Sequence, residues 1–146
     1  MADFPRKGID SVECIYVLAS VLPEGGFGIP VKIGISRDPV NRVKTISTSC
    51  PFDVQIFFAL VVAEGLASRV ETAVHNSLKD YRTRGEWFGC SPINAAGSIM
   101  ACFAAFLRFN GSSDDDVLEY MREAAWGAEE EIYFHFEGYI NHGSSS

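Results

Sequence analysis

Two apolar runs joined by a segment that can only turn constrain this chain more than any other feature. Residues 13–20 (Glu-Cys-Ile-Tyr-Val-Leu-Ala-Ser) read as a buried strand, and residues 31–36 as a second. Between them lies Pro23-Glu-Gly-Gly-Phe-Gly-Ile-Pro30, with three glycines and two prolines, which neither a helix nor a strand interior tolerates. Strands so close in sequence pair antiparallel, so a hairpin with a long loop is predicted.

Helices follow from capping and periodicity. Asp38 can accept orphan amide hydrogens, and Pro39 at the first helical position sacrifices no hydrogen bond. That helix should turn Val40, Val43 and Ile46 inward and stop before Cys50-Pro51. Residues 54–63, rich in Val, Ile and Phe, form a third strand candidate. A helix over 66–81 is marked by Leu66, Val70, Val74 and Leu78, spaced four apart on one apolar stripe. Glu71 and His75 border that stripe on a shared side. Ser91-Pro92 opens an almost wholly apolar helix over 93–109, which Asn110-Gly-Ser-Ser ends. Asp114-Asp-Asp begins an acidic amphipathic helix to about 128, and Ile132-Tyr-Phe-His-Phe-Glu-Gly-Tyr reads equally as helix or strand. Gly143-Ser-Ser-Ser is expected to fray. The fold class is α/β: a small, mainly antiparallel three-stranded sheet flanked by helices over residues 12–90. Residues 91–146 then form a C-terminal helical and acidic extension packed on it.

Composition narrows the function classes. A chain of 146 residues is one domain by size, and with 47% hydrophobic residues it can bury a core. No apolar run approaches the ~20 residues of a membrane span, so no membrane partner is expected. The opening Met-Ala-Asp-Phe-Pro-Arg-Lys has no signal-like apolar stretch, and the cytoplasm is the expected location. Cys14, Cys50, Cys90 and Cys102 contain no Cys-x-x-Cys pair, so they read as reduced thiols and not as a zinc site. The net charge of −7 is unevenly placed. Residues 1–110 carry eleven Lys and Arg against ten Asp and Glu, or +1; residues 111–146 carry one against nine, or −8. The acidity belongs to the C-terminal segment, so total charge does not exclude a DNA-binding face. That segment could engage a protein partner, mimic DNA, or simply be a solvated helix.

On this pattern lie short motifs in fixed order: Ile15-Tyr16-Val17, Lys32-Ile33-Gly34, Arg42 ten residues after Lys32, Glu71 with His75, and Gly85-Glu86-Trp87-Phe88. Their order resembles the GIY-YIG nuclease superfamily. It looks most like the bacterial and phage branch, of the T5 phage orf type, whose second motif reads Lys-Ile-Gly and whose domain ends near Glu-Trp-Phe. The resemblance implies a Mg²⁺- or Mn²⁺-dependent endonuclease that hydrolyses DNA phosphodiester bonds. It places the metal on Glu71, and a lone carboxylate suffices for Mg²⁺, which keeps waters and substrate oxygens as its other ligands. Arg42, near a helix N-terminus that favours anions, would clamp the scissile phosphate. Tyr16 would orient the attacking water or hydrogen-bond the phosphate.

The chain departs from the pattern at Lys32, where many relatives have a tyrosine proposed as general base. Lysine takes that role only if burial lowers its pKa far below ~10.4; as an ammonium it binds phosphate as a point charge. His75 is the natural substitute base, since imidazole titrates near neutrality. Arg82 and Arg84 are candidate backbone-phosphate contacts. Each of these residues also has a plain reading, with Glu71 and His75 a solvated helix pair, Arg42 a surface arginine, and Trp87 and Phe88 closing the core. Cys14 stands where relatives usually have glycine, and no asparagine occupies the place relatives give one late in the domain. The alternative is therefore a catalytically impaired GIY-YIG-fold module for nucleic-acid binding or regulation.

Overall fold

The computed structural model describes residues 12–63 and 65–128. The expectations for the ends of the chain, including the segment from Ile132 and the acids beyond Ala128, lie outside the described residues. The predicted hairpin forms from β1 (Val12–Val21) and β2 (Phe27–Ser36), which pair antiparallel with Tyr16 opposite Gly34 and Leu18 opposite Lys32. Gly25 and Gly26 take φ of 94° and 79°, the left-handed region that only glycine enters without strain. The second strand starts four residues earlier than the apolar pattern suggests, because pairing continues past the register shift after Ala19, to Ser20 with Gly28.

Helix α1 (Pro39–Ser47) follows, then β3 (Val54–Ala63), which pairs antiparallel with the other side of β1. A bulge facing Val17 and Leu18 adds one residue to β3, and the consecutive Phe57 and Phe58 both enter the core there. Helix α2 (Leu66–Ser77) ends one turn short of its predicted limit, in a 3-10 turn at Lys79–Tyr81.

The expected three-stranded sheet is in fact six-stranded. Two short strands, β4 (Arg82–Arg84) and β5 (Trp87–Phe88), add to the free edge of β2, and β6 (Ala125–Gly127) adds to β3. The order is β4-β5-β2-β1-β3-β6, with every pairing antiparallel. Strands of two or three residues are too short to show a period of two. Pairing with an edge already in place forms them, not their own propensity.

Helix α3 (Pro92–Phe109) starts at Ser91, whose side chain accepts the Asn94 amide hydrogen. By length and composition it would pass for a membrane span. Its buried Ala95, Ala96, Ile99, Met100, Phe103 and Ala104 instead pack in the same core as Val70 and Val74 of α2 and Ile15 and Val17 of β1. Helix α4 (Asp114–Ala124) has the reciprocal capping box between Ser113 and Asp116, and ends before β6 where a longer helix was predicted. Its Val117 and Met121 join the core, and the Tyr120 hydroxyl donates to the Val61 carbonyl at 2.9 Å.

The two sheet faces differ. Helices α2, α3 and α4 share the large apolar core, whereas α1 packs over a small cluster of Tyr16, Leu18 and Ala59 through Val43 and Ile46. Tyr16 lies on the thinly covered side.

Candidate active site

Tyr16 sits mid-strand on central β1, only 1% exposed. Its ring lies across Gly34 of β2, where a Cβ would meet the hydroxyl oxygen at 2.6 Å and Cζ at 2.8 Å. Glycine at 34 is thus required by close approach. Burial pushes the Tyr16 hydroxyl pKa up, and Glu86 and Glu71 add to this by their charge. The nearby Arg42 guanidinium opposes the shift.

Arg42 is positioned by the cap of α1. The Ser36 hydroxyl at the end of β2 accepts the Asp38 amide hydrogen at 3.0 Å, and Asp38 Oδ1 accepts that of Asn41 at 3.2 Å. The Arg42 amide closes the first turn onto the Asp38 carbonyl at 3.1 Å. The helix therefore begins two residues after β2, and its first turn delivers the guanidinium to the tyrosine.

Lys32 and Trp87 face each other across β2 and β5. The Lys32 ammonium donates to Glu86 Oε2 at 2.8 Å and stands 5.8 Å from the Trp87 ring centroid. Glu86 is fixed by the Ile33 amide, which donates to its carbonyl at 3.1 Å. The Trp87-Phe88 dipeptide splits between the faces, as successive strand residues must. Phe88 is buried in the large core, while Trp87 lies half-buried with Phe52 against it at 5.6 Å, edge to face.

Glu71 lies on α2 with its Oε2 enclosed and without a hydrogen-bond partner. Burial raises its carboxyl pKa, with Glu86 adding to the shift and His75 and Lys32 opposing it. A shut-in carboxylate oxygen beside a second carboxylate fits a hard divalent cation. No group of three His, Cys, Asp or Glu occurs among the described residues, so Glu71 is the candidate ligand and waters or substrate oxygens would complete the shell. His75 uses Nε2–H to donate to the Ile33 carbonyl at 3.0 Å, and its ring lies 5.1 Å from that of Phe88. This ties α2 to β2 one turn below Glu71.

The remaining predicted residues divide. A groove of about 390 Å³ runs beside the site, lined by Lys32, Arg42, Arg84, Phe52 and Trp87 among others. Arg82 lies outside it, its Nε donating to the Gly85 carbonyl inside the β4–β5 turn. Lys32 and Arg42 thus line one groove, and Glu71 acts by its charge on the Tyr16 hydroxyl. Glu86, to which the motif assigns no role, touches Lys32 and acts by its charge on Tyr16 and Glu71. Its turn position gave no periodic signal; the one clue was its place before the aromatic pair. Cys14 is fully buried, with its thiol pKa raised to about 11 by burial and then Asp38, and all four cysteines are free.

No curated protein and no solved structure matches the chain. Residues 13–104, well over half of the 146, match the T5orf172 domain, a domain related to GIY-YIG and nuclease-like proteins. On that match, the chain belongs to the T5orf172 domain family.

Proposed function

We propose that the chain is a metal-dependent endonuclease of the GIY-YIG type acting on DNA. One observation carries the reading: Tyr16, packed on Gly34, lies within the fields of Arg42, Glu86 and Glu71. A buried tyrosine within the fields of an arginine and of an enclosed carboxylate fits phosphodiester hydrolysis. Family membership supports a nuclease-like, DNA-related role at a coarser level.

In this reading the Arg42 guanidinium and Lys32 ammonium hold the scissile phosphate, stabilising the charge that grows in the pentavalent state. The raised Tyr16 pKa keeps the O–H proton in place beside the Arg42 guanidinium. That proton donates to the attacking water or a phosphate oxygen and orients it. Glu71 would hold the metal, and a bound divalent ion would polarise the phosphate and the leaving oxygen. His75, with Nε2 committed to β2, anchors α2 and so positions Glu71.

Purified protein should nick or cut DNA in Mg²⁺ or Mn²⁺ and stop in chelator. Glu71→Gln keeps the shape, removes the charge, and should abolish cutting. Cutting that survives Glu71→Gln would remove this residue from the mechanism. The Lys32–Glu86 pair supports a second reading, a nucleic-acid-binding module without turnover, because a salt bridge stands where many GIY-YIG proteins carry a tyrosine. Measurable DNA binding with no cutting in any metal would favour it.

A further inference from the structure

The groove beside Tyr16 has a composition that phosphodiester hydrolysis alone does not need. Among its lining residues are Lys32, Arg42 and Arg84, with no acid. Glu86 offsets Lys32, which leaves two arginines, and Arg84 belongs to β4, opposite Trp87 of β5. The floor is aromatic. Phe52, at 37% one of the exposed large apolar residues, stands on the bend between α1 and β3, held edge-on by Trp87 at an interplanar angle of 80°. That geometry leaves Phe52 buttressed from the side while part of its surface faces the groove. Pro30, Pro51 and Ile46 complete an apolar wall. A volume of about 390 Å³ lies at the small end of ligand sites, the scale of one nucleotide and not of a duplex. Aromatic rings bracketed by guanidinium groups are the usual means of holding an unpaired base and its flanking phosphates.

We propose that this groove binds one unpaired nucleotide of single-stranded DNA, its base stacked on Phe52 and its phosphates held by Arg42 and Arg84. The inference rests on the nuclease reading for its meaning, since Arg42 and Lys32 would join the groove to the scissile phosphate. The substrate then has a single-stranded or splayed segment next to the cut. A fully paired duplex cannot present a base to the groove without flipping it out.

Binding is measured apart from cleavage, on the full chain in EDTA, by the fluorescence anisotropy of a labelled 12-nucleotide single strand and of the same sequence as a duplex. The single strand should bind more tightly. Phe52→Ala should weaken it about tenfold, within the range one stacked base contributes, and Phe52→Tyr should restore it. Phe109→Ala, at the exposed end of α3 and outside the groove, should leave it unchanged. Circular dichroism of Phe52→Ala reports folding, and if that variant unfolds, the comparison passes to Phe52→Leu, which keeps bulk and loses the ring face. Duplex binding as tight as the single strand, or affinity unchanged in a folded Phe52 variant, overturns the proposal. Single-strand binding through Phe52 in a protein that never cuts would keep this site and reject the hydrolytic reading. Cutting of duplex DNA indifferent to Phe52 would do the reverse.

Discussion

At the scale of single residues, Glu71 and Gly34 are the positions where structure makes the sharpest demands. Burial raises the Glu71 pKa above its ordinary 4.5, so the folded state holds this proton more tightly than the unfolded chain does. Between the two pKa values stability falls as pH rises, and the charged carboxylate is a cost at neutral pH. Metal-free Glu71→Gln should therefore melt higher than wild type at pH 7, and the difference should vanish below about pH 4.5, measured by thermal melts across pH. Added Mg²⁺ or Mn²⁺ should raise the wild-type melting temperature by mass action and leave Glu71→Gln unmoved. Gly34→Ala would place a methyl 2.6 Å from the hydroxyl of a buried tyrosine, which must shift. It should cost about 1–3 kcal/mol of stability, read by urea denaturation, and should lower cutting further by displacing Tyr16 from Arg42. Arg42→Lys keeps the charge and loses the paired donors, so the proposed clamp should lose about 10²–10³ in rate. A nearly unchanged rate would reduce Arg42 to part of a diffuse basic surface.

Elements place these residues. The Asp38 cap is the joint between β2 and α1, since Asp38 touches both the Ser36 hydroxyl and the Asn41 amide. Asp38→Ala should cost about 1 kcal/mol of stability. It should cost proportionately more activity, because the first turn it orders carries Arg42. Comparing denaturant midpoints with cleavage rates separates the two effects. The start of α1 was legible because Asp-Pro is a local signal that acts through backbone hydrogen bonds. Likewise β3 was legible from ten residues of β-prone side chains, and α2 from a stripe repeated every four. The edge hairpin of β4 and β5 was not, for Arg-Thr-Arg and Trp-Phe have no pattern until β2 offers an edge.

The whole molecule decides what the C-terminal third does. Through residue 128 it is structural: α4 buries Val117 and Met121, and β6 pairs with the outer edge of β3. Truncation after Asn110 would expose that edge and remove both side chains, so the product should aggregate or unfold, seen by size-exclusion chromatography and circular dichroism. Truncation after Ala128 spares these contacts and removes Glu129, Glu130, Glu131 and Glu137, shifting net charge from −7 to −3. If DNA is the ligand, that product should bind it more tightly at low salt, with most of the gain gone by ~0.15 M salt. Equal affinity at low salt would show that the acids do not act on binding.

By itself the sequence determined the hairpin, the capped helix starts, the stripe on α2 and the order of motifs along them. Each depends on hydrogen bonds or side-chain periods a few residues long. Only the tertiary structure decided that Tyr16 packs on Gly34, that Glu86 holds Lys32, and that His75 spends Nε2 on the backbone of β2. It also turned Trp87 toward Phe52 and Phe88 into the core, and placed Arg84 but not Arg82 along the groove. Those outcomes depend on strand register and on which face of the sheet each helix covers. They join residues up to 54 positions apart, as Lys32 and Glu86 are, and no local pattern encodes a contact across that distance.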